Sequence, residues 1–334
     1  MILGAGASRG EASQRGGVLP PLDSDFFAQL QRLKSLGPGA VETLRVACEL
    51  FGPLPDVTME SYFTQIEFVA ELASMLNVGK SVGLELPGAS YFRSAHQSFL
   101  TALLDVLSEA GVAMGRDALP PELHRALVGV LESGDSVISF NYDLLMDSAL
   151  KQEGSGKWDA ADGYHIRCTG CRDSVLYWQP DDAVCLQDSI ALCKLHGSVN
   201  WAPVDDDRMT YGVTLTEPPF KADKMLVLPP AWSKPIRHFP ISELWGHARA
   251  SLLQSRVLIV VGYSLPLTDM WAQALLRCVA VERGQQCLPF ASMLIANPDE
   301  SVCSKVVSVM GAAVGADTRV QRFKGFEELI DYLV

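Results

Sequence analysis

The feature that most constrains this chain is a unit that recurs along its second half. A short apolar run gives way to glycine or a polar residue, and a helical pattern follows. Val257-Leu-Ile-Val-Val261 ends in Gly262-Tyr263-Ser264, and Met293-Leu-Ile-Ala296 ends in Asn297. Ser136-Val-Ile-Ser-Phe140 ends in Asn141-Tyr142-Asp143, and Ala191-Leu-Cys-Lys-Leu195 ends in His196-Gly197-Ser198. Runs this short and this apolar read as strands buried on both faces, and strands alternating with helices build a parallel sheet. The expected fold class is α/β, a Rossmann-like parallel sheet with helices on both faces. Polar residues at the C-terminal ends of such strands sit where open α/β sheets place ligands.

The chain opens with the same unit, Met1-Ile-Leu-Gly-Ala-Gly-Ala-Ser8. A strand that breaks into glycines and then a helix exposes backbone N–H groups to a phosphate, although a plain tight turn accounts for the same residues. The spacing Gly4, Gly6, Gly10 with Arg9 is not the G-x-G-x-x-G of ordinary dehydrogenases, and no acidic residue ends a second strand about 20 residues later. Only three residues precede Gly4, fewer than the usual five or six of a strand, so either the strand is short or the natural chain starts upstream. Arg9 to Pro21, rich in Gly, Ser and Pro, is expected to be a mobile loop that closes over whatever the glycines hold.

From Asp25 the pattern is helical. Thr58 to Val78 sets Met59, Tyr62, Phe63, Ile66, Ala70, Ala73 and Leu76 on one face, Tyr91 to Ala110 repeats the arrangement, and a third helix opens at Pro120-Pro121. These aromatic stripes read as core. The expected organisation is a Rossmann-like domain of residues 1–23 and 134–334, with an irregular insertion at 151–190, and a helical subdomain at 24–133. Met225 to Leu228 is read as a further strand, Thr268 as the cap of a helix from Asp269 to Glu282, and Arg319–Phe323 and Phe326–Leu333 as the last strand and helix.

Composition narrows the function classes. With 48% hydrophobic and 20% charged residues the chain is an ordinary globular protein, and its net charge of −12 argues against one that coats nucleic acid. The longest uninterrupted apolar run, Val257 to Val261, is far too short to span a membrane, and the N-terminus lacks signal-peptide features, so a cytoplasmic protein is expected. The eight cysteines are scattered, as suits buried thiols in a reducing compartment. Cys168-x-x-Cys171 with Cys185 and Cys193 invites a zinc reading. Seven residues separate the second pair, however, and Cys193 lies within an apolar strand, so no metal is expected.

Taken together, Gly-Ala-Gly-Ala-Ser8, Ser-Phe-Asn-Tyr-Asp143, Lys-Leu-His-Gly197, Val-Gly-Tyr-Ser-Leu265 and Ile-Ala-Asn297 resemble, in order and at strand ends, the sirtuin-like superfamily of NAD-binding proteins. The likeness is closer to bacterial sirtuin-like NAD+ hydrolases of anti-phage defence, which tend to carry Phe-Asn-Tyr-Asp, Pro-Pro-x-x-x-Lys (229–234) and Gly-Tyr-Ser-x-x-x-x-Asp (262–269). The Gly-Ile-Pro-Asp-Phe-Arg segment of the deacylases is absent, and Phe140 stands where they have Gln. The resemblance implies NAD+ as substrate, cleaved to ADP-ribose and nicotinamide. Asn141 would hold the nicotinamide ribose or a water, and His196 would accept a proton. Asp143 would bind the carboxamide or stabilise the developing cation. Gly4, Ala5, Gly6 and Ser8 would take the pyrophosphate, and Gly262, Ser264 and Asn297 the adenosine half. From the residues alone, a helix cap is the lesser alternative for Asn141 to Asp143, and His96, His124 and His247 read as packing or hydrogen-bonded residues. The resemblance further implies a homo-oligomer and control by self-assembly or by a separate partner, such as a hexameric DNA-translocating ATPase or a short Argonaute, with the helical layer as the candidate contact. Deacylation, ADP-ribosyl transfer and non-catalytic sensing of NAD or ADP-ribose are the rival functions.

Overall fold

The computed structural model describes residues 1–13, 16–53, 57–75, 89–113, 119–154, 156–165, 171–172, 175–178, 189–203, 211–214, 225–228 and 241–334. Six short runs, apolar except for the largely exposed last one, pair in parallel: β1 (Ile2–Leu3), β2 (Ser136–Ser139), β3 (Ala191–Lys194), β4 (Val257–Val261), β5 (Ser292–Ala296) and β6 (Arg319–Phe323). Their order across the sheet is β6-β5-β4-β1-β2-β3. This is the doubly wound order of dinucleotide-binding folds, in which the direction of winding reverses between β1 and β4. The α/β fold with a parallel sheet flanked by helices is therefore as the alternation predicts. β1 is only two residues long yet central, with Leu3 in register with Val261 on one side and Ser139 on the other.

The turn after β1 leads into α1 (Ala5–Glu11), so Arg9 to Glu11 are helical rather than the start of a loop. Arg9 is pinned, its Nε donating to the Pro20 carbonyl at 2.7 Å and its Nη2 to Asp25 at 2.5 Å, and Ala12 and Val18 are buried. Both ends of the stretch from Arg9 to Pro21 are thus packed down, which the expectation of a mobile closing loop did not foresee, while Ser13, Gly16 and Gly17 between them are exposed. Two glycines here are required by close approach. A Cβ on Gly262, at φ +62°, would lie 2.0 Å from the Ala7 nitrogen, and one on Gly6 would lie 2.8 Å from Gly262 Cα. Both neighbours are backbone and cannot yield. Gly262→Ala is expected to cost about 2–4 kcal/mol, from left-handed strain plus overpacking, and urea denaturation reads this directly.

The helical layer comprises α2 (Phe26–Leu30), α3 (Pro38–Phe51), α4 (Met59–Met75) and α5 (Ala89–Glu109). Its apolar stripes meet in an aromatic core in which Phe99 sits 4.8 Å from Phe26, 5.4 Å from Tyr62 and 4.3 Å from Phe63. Tyr142, Leu144 and Leu145, just beyond β2, belong to this same core and join the layer to the sheet. The next helix, α6 (Glu122–Gly129), packs instead with the sheet core, against α7 (Leu145–Glu153) and the last helix. Helix α8 (Ala160–Gly163) is a single turn, and α9 (Ile241–Gln254), α10 (Met270–Gln285), α11 (Glu300–Val309) and α12 (Phe326–Leu333) complete the set. Contacts among α1, α6, α7 and α12, and among α9, α10 and α11, follow the two faces that right-handed crossovers dictate.

Three local expectations change. Of Met225 to Leu228 only Leu226–Val227 is strand, and it pairs antiparallel with Gly197–Ser198 outside the main sheet. Thr268 does not cap α10, because its hydroxyl donates to Glu60 and the cap position falls to Asp269. Inside the insertion expected to be irregular, Cys171–Arg172 and Val175–Trp178 form a small antiparallel sheet with Trp201–Pro203 and Tyr211–Thr214. Among the described residues no helix is long and apolar enough to cross a membrane.

His165 lies 4.7 Å, ring to ring, from His247, and burial together with that neighbour pulls its pKa down to about 4. Between pH 4 and the ordinary value near 6.5 the unfolded chain binds the extra proton, so stability falls as pH drops through this window. His165→Gln is expected to flatten that limb in urea midpoints measured between pH 4.5 and 7.

Candidate functional site

At the reversal point, the C-terminal ends of the central strands open into a cleft of about 340 Å³. Ala5, Gly6 and Ser8 come from α1, Asn141 and Asp143 follow β2, and His196 follows β3. Gly262 and Ser264 follow β4, and Asn297 follows β5. The fold thus brings together all but one of the residues chosen from the sequence. Gly4 is not on the wall.

The glycine turn works differently from a free phosphate cradle. The Gly4 and Gly6 amides donate to the carbonyls of Val261 at 3.0 Å and Gly262 at 2.9 Å, and the Ala7 amide donates to Gly4 at 2.9 Å. The two glycine N–H groups therefore stitch α1 to the end of β4.

Asn141 is 7% exposed, and its amide orientation is set by chemistry. Nδ2 donates to the Gly4 carbonyl at 3.1 Å, which only a donor can do, and to Ser8 Oγ, also at 3.1 Å. The Ser8 hydroxyl in turn donates to Asp143 Oδ2 at 2.6 Å. The chain of bonds is directional throughout, and it leaves Asn141 Oδ1 buried with no partner. Asp143 Oδ1 accepts from the Leu145 amide at 3.1 Å, so Asp143 also steadies the start of α7 in the manner of a cap. Burial raises the Asp143 pKa above its ordinary value, opposed by the Ser8 hydrogen bond and the charge of Lys194.

His196 sits on the same wall, 5% exposed, with Nε2 3.3 Å from Asp269 Oδ2. Tyr263 donates to that same oxygen at 2.9 Å and stacks on Phe140 at 4.3 Å, while Phe140 meets the imidazole edge to face at 5.1 Å. Burial and the Asp269 charge keep the Tyr263 phenol well above its ordinary pKa, hence protonated and donating. Two further carboxylates line the cleft, Asp23 from the segment before α2 and Glu60 from α4. Asp23 accepts from the Glu60 amide at 2.8 Å and is raised by burial, and Glu60, 1% exposed, accepts from the Thr268 hydroxyl. The cleft thus carries four carboxylates, Asp23, Glu60, Asp143 and Asp269, and no Lys or Arg among the described residues lining it.

Behind Asp143 runs a buried polar relay. Lys194, 1% exposed, donates from Nζ to the Asp143 carbonyl at 2.6 Å and to Asp147 at 2.9 Å. Asp147 also accepts from Tyr164, which Asn200 reaches at 3.4 Å, and Ser198 bonds Asn200 at 2.5 Å. The sequence reading missed Asp23, Glu60, Asp269 and Lys194. Asp269 had a signal, as the last residue of Gly-Tyr-Ser-x-x-x-x-Asp, and Lys194 had one as the single charge in an apolar strand. Glu60 had none, because helical periodicity assigns it only to an unmarked face.

Of the three histidines read as packing residues, His124 bonds Glu11 at 2.6 Å and His96 lies edge-on to Phe63 at 5.0 Å, whereas His247 is exposed, its ring 4.7 Å from that of His165. Cys168 and Cys185, and the Pro-Pro-x-x-x-Lys stretch at 229–234, lie outside the described residues, as does the side chain of Cys171. Cys193 is fully buried in β3, its thiol pushed up to about 12 by burial. No family model matches this sequence, and a search of characterised proteins returns no significant match.

Proposed function

We propose that the cleft hydrolyses the N-glycosidic bond of NAD+, releasing nicotinamide and ADP-ribose. The observation that carries this reading is Asn141, whose amide is fixed by Gly4 and Ser8 and whose Oδ1 is an unsatisfied acceptor on the wall shared with His196. A buried acceptor without a donor is costly, and a ribose hydroxyl or a water supplies the donor. In the reaction the C1′–N bond breaks with its electron pair passing to the nicotinamide nitrogen, which loses its positive charge as the ribose gains it. Carboxylates in the cleft stabilise that cation, and the absence of Lys and Arg among the described lining residues fits the same need. Water then adds to C1′, and its proton passes to His196, whose imidazolium Asp269 stabilises. Ser8 and Ala5 would take the pyrophosphate, and Gly262, Ser264 and Asn297 the adenosine half.

Asp143 favours a second reading. Both its oxygens are held by protein donors, Ser8 and Leu145, as in a site built to bind and not to react. The NAD- or ADP-ribose-sensing alternative therefore stands beside hydrolysis. Incubating the full chain with NAD+ alone is expected to give nicotinamide and ADP-ribose in equal amounts by mass spectrometry. Nicotinamide release that needs an acylated peptide or a protein acceptor instead identifies a deacylase or ADP-ribosyltransferase, and saturable binding without turnover identifies a sensor. An NAD-depleting enzyme needs an off state, and we place its control in self-association or a partner protein docking on the helical layer, within a cytoplasmic defence response.

A further inference from the structure

At the opposite end of the sheet, the starts of β4, β5 and β6 and the C-terminal end of α9 enclose a hollow of about 930 Å³. Three arginines line it, Arg256, Arg283 and Arg319, against one carboxylate, Asp317. None of the three forms an ion pair among the described residues, although the chain carries a net charge of −12 and several of its other arginines are so paired.

Arg283 is 3% exposed. Its Nη1 donates to the carbonyls of Leu252 at 2.9 Å and Leu253 at 2.7 Å, closing the end of α9, and its guanidinium carbon lies 3.8 Å from the centre of the Phe290 ring. Capping α9 accounts for that one nitrogen. Nε is buried with no partner, and a guanidinium keeps its charge in a protein. Arg256 and Arg319 are brought in by strand register. The Ala291 amide donates to the Arg256 carbonyl at 2.8 Å, and the Arg319 amide donates to the Ala291 carbonyl at 3.0 Å. The two arginines therefore straddle one residue, about 10 Å apart, a gap that two arginine side chains can close from either side.

We propose that this hollow binds a phosphate-bearing small anion, independently of the cleft. Three arginines lining one space offer more guanidinium donors than a lone carboxylate can satisfy, and a phosphate or pyrophosphate group supplies acceptor oxygens in the geometry that arginine prefers. β4 and β5 separate the hollow from Gly262 and Asn297, so an anion held here does not compete for the cleft.

The test is calorimetric titration of the full chain with inorganic phosphate and with pyrophosphate, at ionic strength held constant with chloride. Saturable binding of at least one anion is expected, weakened about tenfold or more in the double variant Arg256→Ala/Arg319→Ala. Both side chains are exposed, so the fold should survive their removal. Arg283→Lys, which keeps a charge but loses the fork, should also weaken binding, whereas Asn141→Ala in the cleft should leave it unchanged. No saturable binding of either anion, equal affinity in the double variant, or loss of binding in Asn141→Ala with retention in the double variant would each overturn the proposal.

Discussion

His196→Ala is expected to lower kcat for NAD+ hydrolysis by about 10²–10⁴-fold, the usual contribution of a positioned general base. The imidazole is held by Asp269 at 3.3 Å and by the edge of Phe140, so its direction is set before any ligand arrives. Preorganisation of this kind is lost entirely on truncation. It is lost in part in Asp269→Asn, which keeps the side-chain volume and the approach of Tyr263 but removes the charge that stabilises the imidazolium. An intermediate fall is expected there. Because the base must be unprotonated to take the water's proton, His196→Ala should also remove the acidic limb of the pH–rate profile. Retention of activity within about twofold of the native protein, with the limb intact, would assign the proton to another group. If NAD+ binding survives while no turnover is seen even in the native protein, the sensing reading takes over.

The fold was legible because strand and helix periods are local. Val257–Val261 and Phe326–Leu333 fall where the apolar patterns put them, and the polar residue after each central strand lands in one cleft because parallel strands all end on the same side. Less legible was everything decided by what packs opposite. Thr268 looks like a helix cap in isolation, and only the approach of α4 with Glu60 turns its hydroxyl away. Gly4 and Gly6 look like phosphate donors until the end of β4 is set against them at backbone distance. Met225 to Leu228 is apolar enough for a central strand, but its partner is Gly197–Ser198, whose Gly197 at φ +76° leaves no room for a side chain beside Leu226. The candidate site shows the same division. Asn141, Asp143 and His196 were marked by position after strands, whereas Asp23, just before α2, and Glu60, in α4, reach the cleft from sequence distances no periodicity spans.

Lys194→Met is expected to destabilise the protein by about 3–5 kcal/mol, more than any surface charge change. The Lys194 ammonium and the Asp147 carboxylate are 1% and 2% exposed as side chains, so removing the cation leaves a buried anion with only the Tyr164 hydroxyl and its surroundings to hold it. Methionine fills much of the lysine stem's volume, which separates the loss of charge from the loss of packing. The double variant Lys194→Met/Asp147→Leu removes both charges at once and should recover most of the stability, because the penalty lies in the unpaired ion and not in the absence of the pair. Tyr164 would then lose its acceptor, so recovery should be incomplete, by about 1–3 kcal/mol. Urea denaturation of the four proteins of this cycle decides the matter. If the double variant is no more stable than the single one, the relay contributes through packing and not through charge. The same cycle read by activity separates fold from site. Lys194 Nζ also holds the Asp143 carbonyl at 2.6 Å, and Asp143 holds Ser8, which holds Asn141. A double variant that regains stability but not turnover would show that the buried lysine acts on the cleft by positioning the segment from Asn141 to Asp143.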